Sequence, residues 1–360
     1  MKANNKRIWV ISLTDVPNGA ENVLLKVAVA VKADLIFVKK NTGPTLAVPA
    51  QLSKRFLSQS TIVFGLLKLI PLMRQLKRGE IIMSSHPYLN AFLGFFKKLG
   101  FIKSKLIARE CTSVFTRYTG LKKLVYQLIY RLGYPAVDLV VCQTELMKAD
   151  LLQHNQFIAE NKVWVQANPV DIKELRLQAI RPLTREEKQT SFICAAGRLI
   201  AEKGFDVLIK AFAMIHGQNP GLRLFILGEG KERSALQQLA MSHKLAEHIV
   251  FKGHVALPAP YFKQARLCVV SSIKEGFPNV LLEMMALNQS VVSTLCAGGI
   301  NAIPYIEKVE VNNVTALATA MQNMLNKSVT PNYNPCTAYL RQRSPQVFTH
   351  TILNKLAAQN

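Results

Sequence analysis

Short β-branched runs alternate with longer amphipathic stretches along almost the whole chain, an order that points to mostly parallel sheets covered by helices on both faces. In the first half, residues 8–13, 34–38, 81–84, 105–108, 138–142 and 162–166 read as strands. Residues 21–31, 62–77, 90–98, 122–132 and 145–153 read as helices, and the stretch between 38 and 62 as irregular. Asn168-Pro169-Val170-Asp171 breaks the series, and the polar stretch from there to Thr190, with Pro182 inside it, reads as an interdomain linker. A second series follows, with strands at 192–196, 223–227, 249–252, 267–270 and 290–294 and helices at 205–216, 231–243 and 279–287. The expected fold class is α/β, with two Rossmann-like domains facing a central cleft and ligands at the carboxyl ends of strands.

The 360 residues exceed one ordinary hydrophobic core and suit two domains. With 49% hydrophobic and 19% charged residues the composition is globular. The formal net charge of +23 calls for an anionic partner. It is uneven: residues 1–180 hold 26 Lys and Arg against 11 acids, residues 181–360 hold 19 against 11. The first half is therefore the expected docking surface. Six cysteines, none in a CxxC pair, read as buried free thiols in a reducing compartment. The N-terminal residues 1–7 lack the apolar core of a signal peptide, and the longest apolar stretch, 61–73, is about 13 residues long and contains Lys68. A cytoplasmic protein is expected.

Four segments of the second half follow predicted strands. Gly197-Arg198-Leu199-Ile200-Ala201-Glu202-Lys203-Gly204 places a guanidinium and an ammonium where both reach over a strand end, the pair that a diphosphate needs. Gly228-Glu229-Gly230 lets backbone approach a ligand closely, with Gly228 and Gly230 as the contact points. Gly253-His254-Val255 offers backbone near His254 to the edge of a base. Glu275-Gly276-Phe277-Pro278-Asn279-Val280-Leu281-Leu282-Glu283 is the most specific. Pro278 suits the first turn of a helix, and the amides of Asn279, Val280 and Leu281 then face a phosphate with the helix dipole behind them. Glu283 is placed to accept ribose hydroxyls, and Glu275, with Gly276 and Phe277 beside it, to reach the hydroxyls of a sugar. Each segment alone has an ordinary reading as a turn or a solvated surface; their shared placement at strand ends favours a site.

These motifs resemble those of the retaining glycosyltransferases of family 4 (glycosyl transferases group 1), which have the GT-B fold. The resemblance covers nearly the whole chain. Asn18-Gly19-Ala20-Glu21-Asn22-Val23-Leu24-Leu25 is similar to the family's glycine-rich loop, with Gly19 as a ligand-contacting position, although Asn18 stands where the family often has a second glycine. Asn168-Pro169-Val170-Asp171 is similar to the turn closing the first domain, and Ser344-Pro345-Gln346-Val347-Phe348 to the start of a last helix that returns to it. The implied domains are 1–170 for the acceptor, 171–340 for the nucleotide-sugar and 341–360 for the returning helix. The resemblance implies that Arg198 and Lys203 neutralise the donor diphosphate, Glu283 binds the ribose, Glu275 contacts the donor sugar, and the anomeric configuration is kept by front-face attack. It also implies no metal and no cofactor; the donor is a substrate, with UDP the commonest nucleotide. The sequence itself has no Asp-x-Asp pair and no cluster of His or Cys ligands.

On the acceptor side the candidates are His86, in Ser84-Ser85-His86-Pro87-Tyr88, and Glu110, which is expected to face the cleft unless it pairs with Arg109. Lysines mixed with aromatic and aliphatic residues over 92–105 and 116–134 point to helices on an anionic membrane face, the alternative being helices packed on the sheet with a basic edge. The expected partners are a nucleotide-sugar, a glycan or lipid-linked glycan acceptor and the inner face of a membrane, with the enzyme peripheral there. A nucleic-acid binder is a poor rival, because the basic residues form no tract or known module. A sugar-nucleotide epimerase of the same fold and a non-catalytic membrane-bound subunit remain as alternatives.

Overall fold

The computed structural model describes residues 6–359 except 329, 331 and 332, so residues 1–5 of the N-terminal stretch read above lie outside the described part. The chain divides into two compact units, Met1–Pro169 together with Arg343–Asn360, and Val170–Gln342.

The first unit is built on seven parallel strands: β1 (Ile8–Thr14), β2 (Asp34–Lys39), β3 (Lys54–Ser58), β4 (Ile81–Ser85), β5 (Lys105–Arg109), β6 (Leu139–Cys142) and β7 (Val163–Val165). Their order is β3-β2-β1-β4-β5-β6-β7. Alternate residues serve opposite faces, as the two-residue period of a strand requires. Ile11, Ile36 and Ile82 join Leu69, Leu93 and Tyr130 on one side, where the helices Ile62–Met73, Pro87–Lys98 and Gly120–Gly133 contribute to the core. Val10, Leu35 and Phe37 join Val23 and Leu24 of the helix Gly19–Val31 and Phe348, Ile352 and Leu356 of the helix Pro345–Ala357 on the other. The stretch expected to be irregular contains β3. Its leading Lys54 and Arg55 hide an edge strand whose Phe56 stacks on Phe37 at 5.2 Å.

The second unit has six parallel strands: β8 (Ser191–Ala196), β9 (Leu222–Leu227), β10 (Ile249–Gly253), β11 (Leu267–Val270), β12 (Val291–Thr294) and β13 (Glu307–Val309). Their order is β10-β9-β8-β11-β12-β13. The chain runs outward from β8 in one direction and then from β11 in the other, so the order reverses between β8 and β11. In the first unit the same reversal lies between β1 and β4.

The expected linker is instead folded. Helices Ile172–Gln178 and Arg185–Gln189 bring Leu175, Ala179 and Leu183 into a core shared with Phe192, Phe262 and Leu282. Thr184 and Glu187 form a reciprocal capping box, and Glu187 also accepts hydrogen bonds from Lys252 and Tyr261 at 2.8 Å each. Polarity on one helical face masked the apolar positions of the other. Among the described residues, no helix is long and apolar enough to cross a membrane. Five of the six cysteines are buried, Cys111 is partly so, and all are free thiols.

Candidate functional site

In the second unit the loops after β8 and β11 flank the strand-order reversal, the position where open α/β sheets hold ligands. Lys203 Nζ donates to Glu275 Oε1 at 2.8 Å across it. Ser272 Oγ donates to the same carboxylate oxygen at 2.5 Å. The two loops are also joined backbone to backbone and hydroxyl to backbone. Ile273 N–H donates to the Glu202 carbonyl at 2.8 Å and Ser271 Oγ to the Lys203 carbonyl at 3.0 Å, while Glu275 N–H donates to the Cys296 carbonyl, in the loop after β12, at 2.9 Å. Thr294 Oγ1 bonds the Ser272 carbonyl at 2.5 Å. The ammonium and carboxylate are thus positioned by several hydrogen bonds while both remain partly open to solvent.

Two glycines permit this closeness. Gly204 has φ +59, and a Cβ there would run into the carbonyl of Ser271. Gly228 has φ +146, and a Cβ there would meet the carbonyl of Gly197. The turn after β9 is thereby pressed against the turn after β8. Leu199 N–H donates to the Glu229 carbonyl at 2.9 Å, and Glu232 N–H to the Leu199 carbonyl at 3.0 Å, with Gly230 seated against Leu199. Arg198 projects from this junction with its side chain exposed and with no ion-pair partner among the described residues. Burial, reinforced by the neighbouring Glu275 charge, pushes the Cys296 thiol up to about 12, so it stays protonated beside the site.

The structure brings Arg198, Lys203, Gly228, Gly230, Glu275 and Gly276 to one end of this sheet and sets Glu283 about one turn into the helix Asn279–Leu287, partly buried. His254 follows β10 and is exposed, and Gly253 beside it accepts the Gly228 amide at 2.7 Å. The expected anion-binding turn differs in detail. Pro278 is the N-cap and not the first helical residue, and its carbonyl takes the Leu281 amide at 3.0 Å. Leu281 is therefore removed from the amides facing a phosphate. Asn279 and Val280 open the helix, while Phe277 is packed into the core.

In the first unit, Gly19 opens the helix after β1, and His86 follows β4, so both stand at the corresponding reversal. His86 Nε2 lies 2.8 Å from Glu21 Oε1. Glu21 is 2% exposed and its Oε2 has no hydrogen-bond partner. His86 adopts φ +92, a conformation that a non-glycine residue holds only when its surroundings impose it. Glu21 was not anticipated as a partner, because 65 residues separate the pair and no local pattern signals it.

Glu110 does not face an open cleft, and it does not pair with Arg109. Tyr134 donates to one carboxylate oxygen and Tyr130 to the other at 2.7 Å, with Asn90 adding a bond at 3.3 Å. Burial raises its pKa against the opposing pull of these bonds. Arg109, on the opposite face of the strand, donates to Asn168 at 2.6 Å and Ser85 at 3.3 Å, which ties the Asn168-Pro169 turn to β5.

Residues 190–327 match the model of a family described as glycosyl transferases group 1. Several relatives are similar in sequence, two of them as follows. An uncharacterised glycosyltransferase of Methanocaldococcus jannaschii is 30% identical over 184 residues, 50% of this chain and 45% of that protein. The N-acetylgalactosamine-N,N'-diacetylbacillosaminyl-diphospho-undecaprenol 4-alpha-N-acetylgalactosaminyltransferase of Campylobacter jejuni is 29% identical over 229 residues, 62% of this chain and 61% of that protein. The matched region thus spans about half to three fifths of these relatives. Among solved structures, HepE of Anabaena in complex with UDP has a TM-score of 0.76 at 14% identity, covering 98% of this chain and all of that one. The lipopolysaccharide outer core galactosyltransferase WaaB in its apo form has a TM-score of 0.72 at 15% identity, with 98% and 100% covered. At such identities these likenesses speak for the fold, which is GT-B.

Proposed function

We propose, from the match of residues 190–327 to the glycosyl transferases group 1 model, that the protein is a retaining glycosyltransferase that moves a sugar from a UDP-sugar to a lipid-linked or cell-surface glycan at the cytoplasmic face of a membrane. The observation that carries this reading is the Lys203–Glu275 pair across the strand-order reversal, with Arg198 exposed beside it.

The chemistry follows from charge. Breaking a glycosyl–phosphate bond leaves negative charge on the diphosphate, and fixed cations stabilise it more in the transition state than in the bound donor. Arg198 supplies a planar fork, and Lys203 a compact ammonium already oriented by Glu275. Glu275 then faces the transferred sugar as a hydrogen-bond acceptor, and Glu283 the ribose. In the retaining reaction the acceptor hydroxyl attacks the anomeric carbon from the face that the diphosphate leaves, and its proton passes to the departing phosphate oxygen. The UDP bound to HepE and the undecaprenol-linked substrate in the name of the C. jejuni relative support the choice of donor and acceptor class.

A thermal-shift screen of nucleotide-sugars tests the reading. One donor should raise the melting temperature by several degrees, and Lys203→Ala should abolish the shift. No shift with any donor would overturn it.

A further inference from the structure

We infer that the second unit holds an anion site of its own at the amino ends of β11 and β12, a basic pocket that takes the phosphate chain of a small polyphosphorylated molecule. The pocket lies at the opposite end of the sheet from the Lys203–Glu275 pair, and its test needs no sugar donor.

The pocket is a cavity of about 1020 Å³ lined by residues of this unit. Its floor is set by Asn288, which is 8% exposed. Asn288 Nδ2 donates to the Phe262 and Ala265 carbonyls at 2.8 and 2.7 Å, and Oδ1 accepts from the Ser290 N–H at 2.8 Å. Both donors of the buried amide are thereby used, and the turn before β11 is fastened to the turn before β12. Ala265, Ala286 and Leu325, all buried, make the rest of the floor apolar.

Against that floor stand Arg176, Lys263, Arg266, Lys327 and Arg341. Among the described residues, no Asp or Glu lines the cavity. The sequence around it is equally one-sided, since residues 258–270 and 327–343 contain no acid. Two of the arginines are held in place. Arg266 Nη2 donates to the Leu325 carbonyl at 3.2 Å, and Arg176 Nη2 to Thr337 Oγ1 at 3.3 Å. One bond each leaves most donors of either guanidinium unused. The side chains of Lys263, Lys327 and Arg341 make no hydrogen bond or ion pair among the described residues.

The ordinary reason for cations in such a place is the dipole of a helix end, and here it falls short. The helices Ile172–Gln178, Ala259–Gln264, Asn279–Leu287 and Val314–Asn326 all end at the pocket. Each end carries the equivalent of about half a negative charge, so the set offsets about two of the five positive charges and leaves about three. Without an anion those charges repel one another.

A phosphate chain fits the surplus. It carries several negative charges and many acceptor oxygens; guanidinium forks take such oxygens in pairs, and lysines add point charges. The cations line a cavity instead of tracking a long groove, which suits a small molecule and not a nucleic-acid strand. Tyr333, also in the lining and 58% exposed, offers an aromatic ring to a nucleoside attached to the chain.

The test is isothermal titration of the full chain carrying Lys203→Ala, which removes the ammonium at the other end of the sheet. Sodium tripolyphosphate and ATP are titrated in parallel at about 150 mM salt, where exposed charges more than about 8 Å apart are largely screened. Tripolyphosphate should bind at one site per chain. Lys263→Glu/Arg341→Glu should weaken it at least about tenfold while keeping the parent melting curve, because neither side chain has a partner to lose. Lys210→Glu/Lys244→Glu, an equal charge change outside the pocket, should alter it less than about threefold. ATP binding at least about tenfold tighter than tripolyphosphate, with the difference lost in Tyr333→Ala, assigns the pocket to a nucleotide. Equal or weaker ATP binding assigns it to the phosphate chain alone. Absence of tripolyphosphate binding overturns the proposal, as does binding that the pocket variant leaves unchanged or that both double variants weaken alike.

Discussion

Each unit carries one acid–base contact at its strand-order reversal, Glu21 with His86 in the first and Lys203 with Glu275 in the second, and both are 2.8 Å long. Their settings are opposite. Glu21 is almost sealed at 2% exposure, whereas Lys203 and Glu275 keep 18% and 15%. The first pair is joined by a histidine at positive φ, the second by glycines at the loop contacts. A sealed carboxylate holds one ring in one orientation. A partly open ion pair, held by hydroxyls and backbone, is able to exchange part of its partner's charge for that of a ligand. In the proposed reading the first contact is built to orient and the second to bind.

The comparison breaks most readily at Lys203. Lys203→Ala should lower transfer by about 100- to 1000-fold, the scale seen when one charge-stabilising group is removed, and steady-state kinetics with the donor found by thermal shift would measure it. If the loss appears only in KM, the ammonium acts on the bound donor and not on the leaving group.

Next in size is the glycine support of the second site. Gly228→Ala adds a methyl group against the Gly197 carbonyl at φ +146 and should destabilise the fold by about 3 kcal/mol in urea unfolding. Equal stability would show that the two turns separate easily and that the site is not rigid.

Glu21→Gln sharpens the contrast from the other side. It should reduce transfer by about tenfold while the nucleotide-sugar thermal shift stays at the wild-type value, because His86 loses its charged partner and the second unit is untouched. A lost thermal shift would mean that Glu21 supports the donor.

The smallest effect separates two further carboxylates by the sign of their pH dependence. Burial opposes ionisation of Glu187, but the hydrogen bonds from Lys252, the Thr184 amide and Tyr261 outweigh it and hold its pKa at about 2. Its folded value lies below its unfolded one, so its stabilisation is present above about pH 5 and lost as pH falls toward 2. Glu187→Gln should therefore lose ~1–2 kcal/mol at neutral pH, after allowance for solvent screening, and less near pH 3. Glu110 has the opposite sign. Its folded pKa is raised, so its contribution declines as pH rises above the ordinary carboxylate value, and Glu110→Gln should be better tolerated at neutral pH than at pH 4. Urea midpoints across pH 3–7 would show whether the two slopes diverge.

Much of the fold was legible in the sequence. The helices Phe205–His216 and Asn279–Leu287 and the strand Leu267–Val270 fall where periodicity placed them, because their apolar spacing and flanking Gly, Pro and Asn are local signals. Strand β3 and the helix Ile172–Gln178 were not read, the first for its two leading cations and the second because polar residues crowd its outer face. The glycines and charged residues after β8, β9 and β11 marked a site as motifs. Their contacts did not show: Ser272 and Thr294 gave no pattern, and Glu110 looked open because a strand-end position says nothing of tyrosines 20 and 24 residues further on.

The sequence by itself determined which segments become strands and helices and which loops hold glycine, proline and charge, since those preferences lie in the backbone and in near neighbours. Only the tertiary structure decided that Lys203 meets Glu275 across 72 residues, that Glu21 meets His86 across 65, and that five cations between Arg176 and Arg341 share one pocket. Those outcomes depend on strand order and on which helix ends the sheet brings together, which no neighbouring residue records.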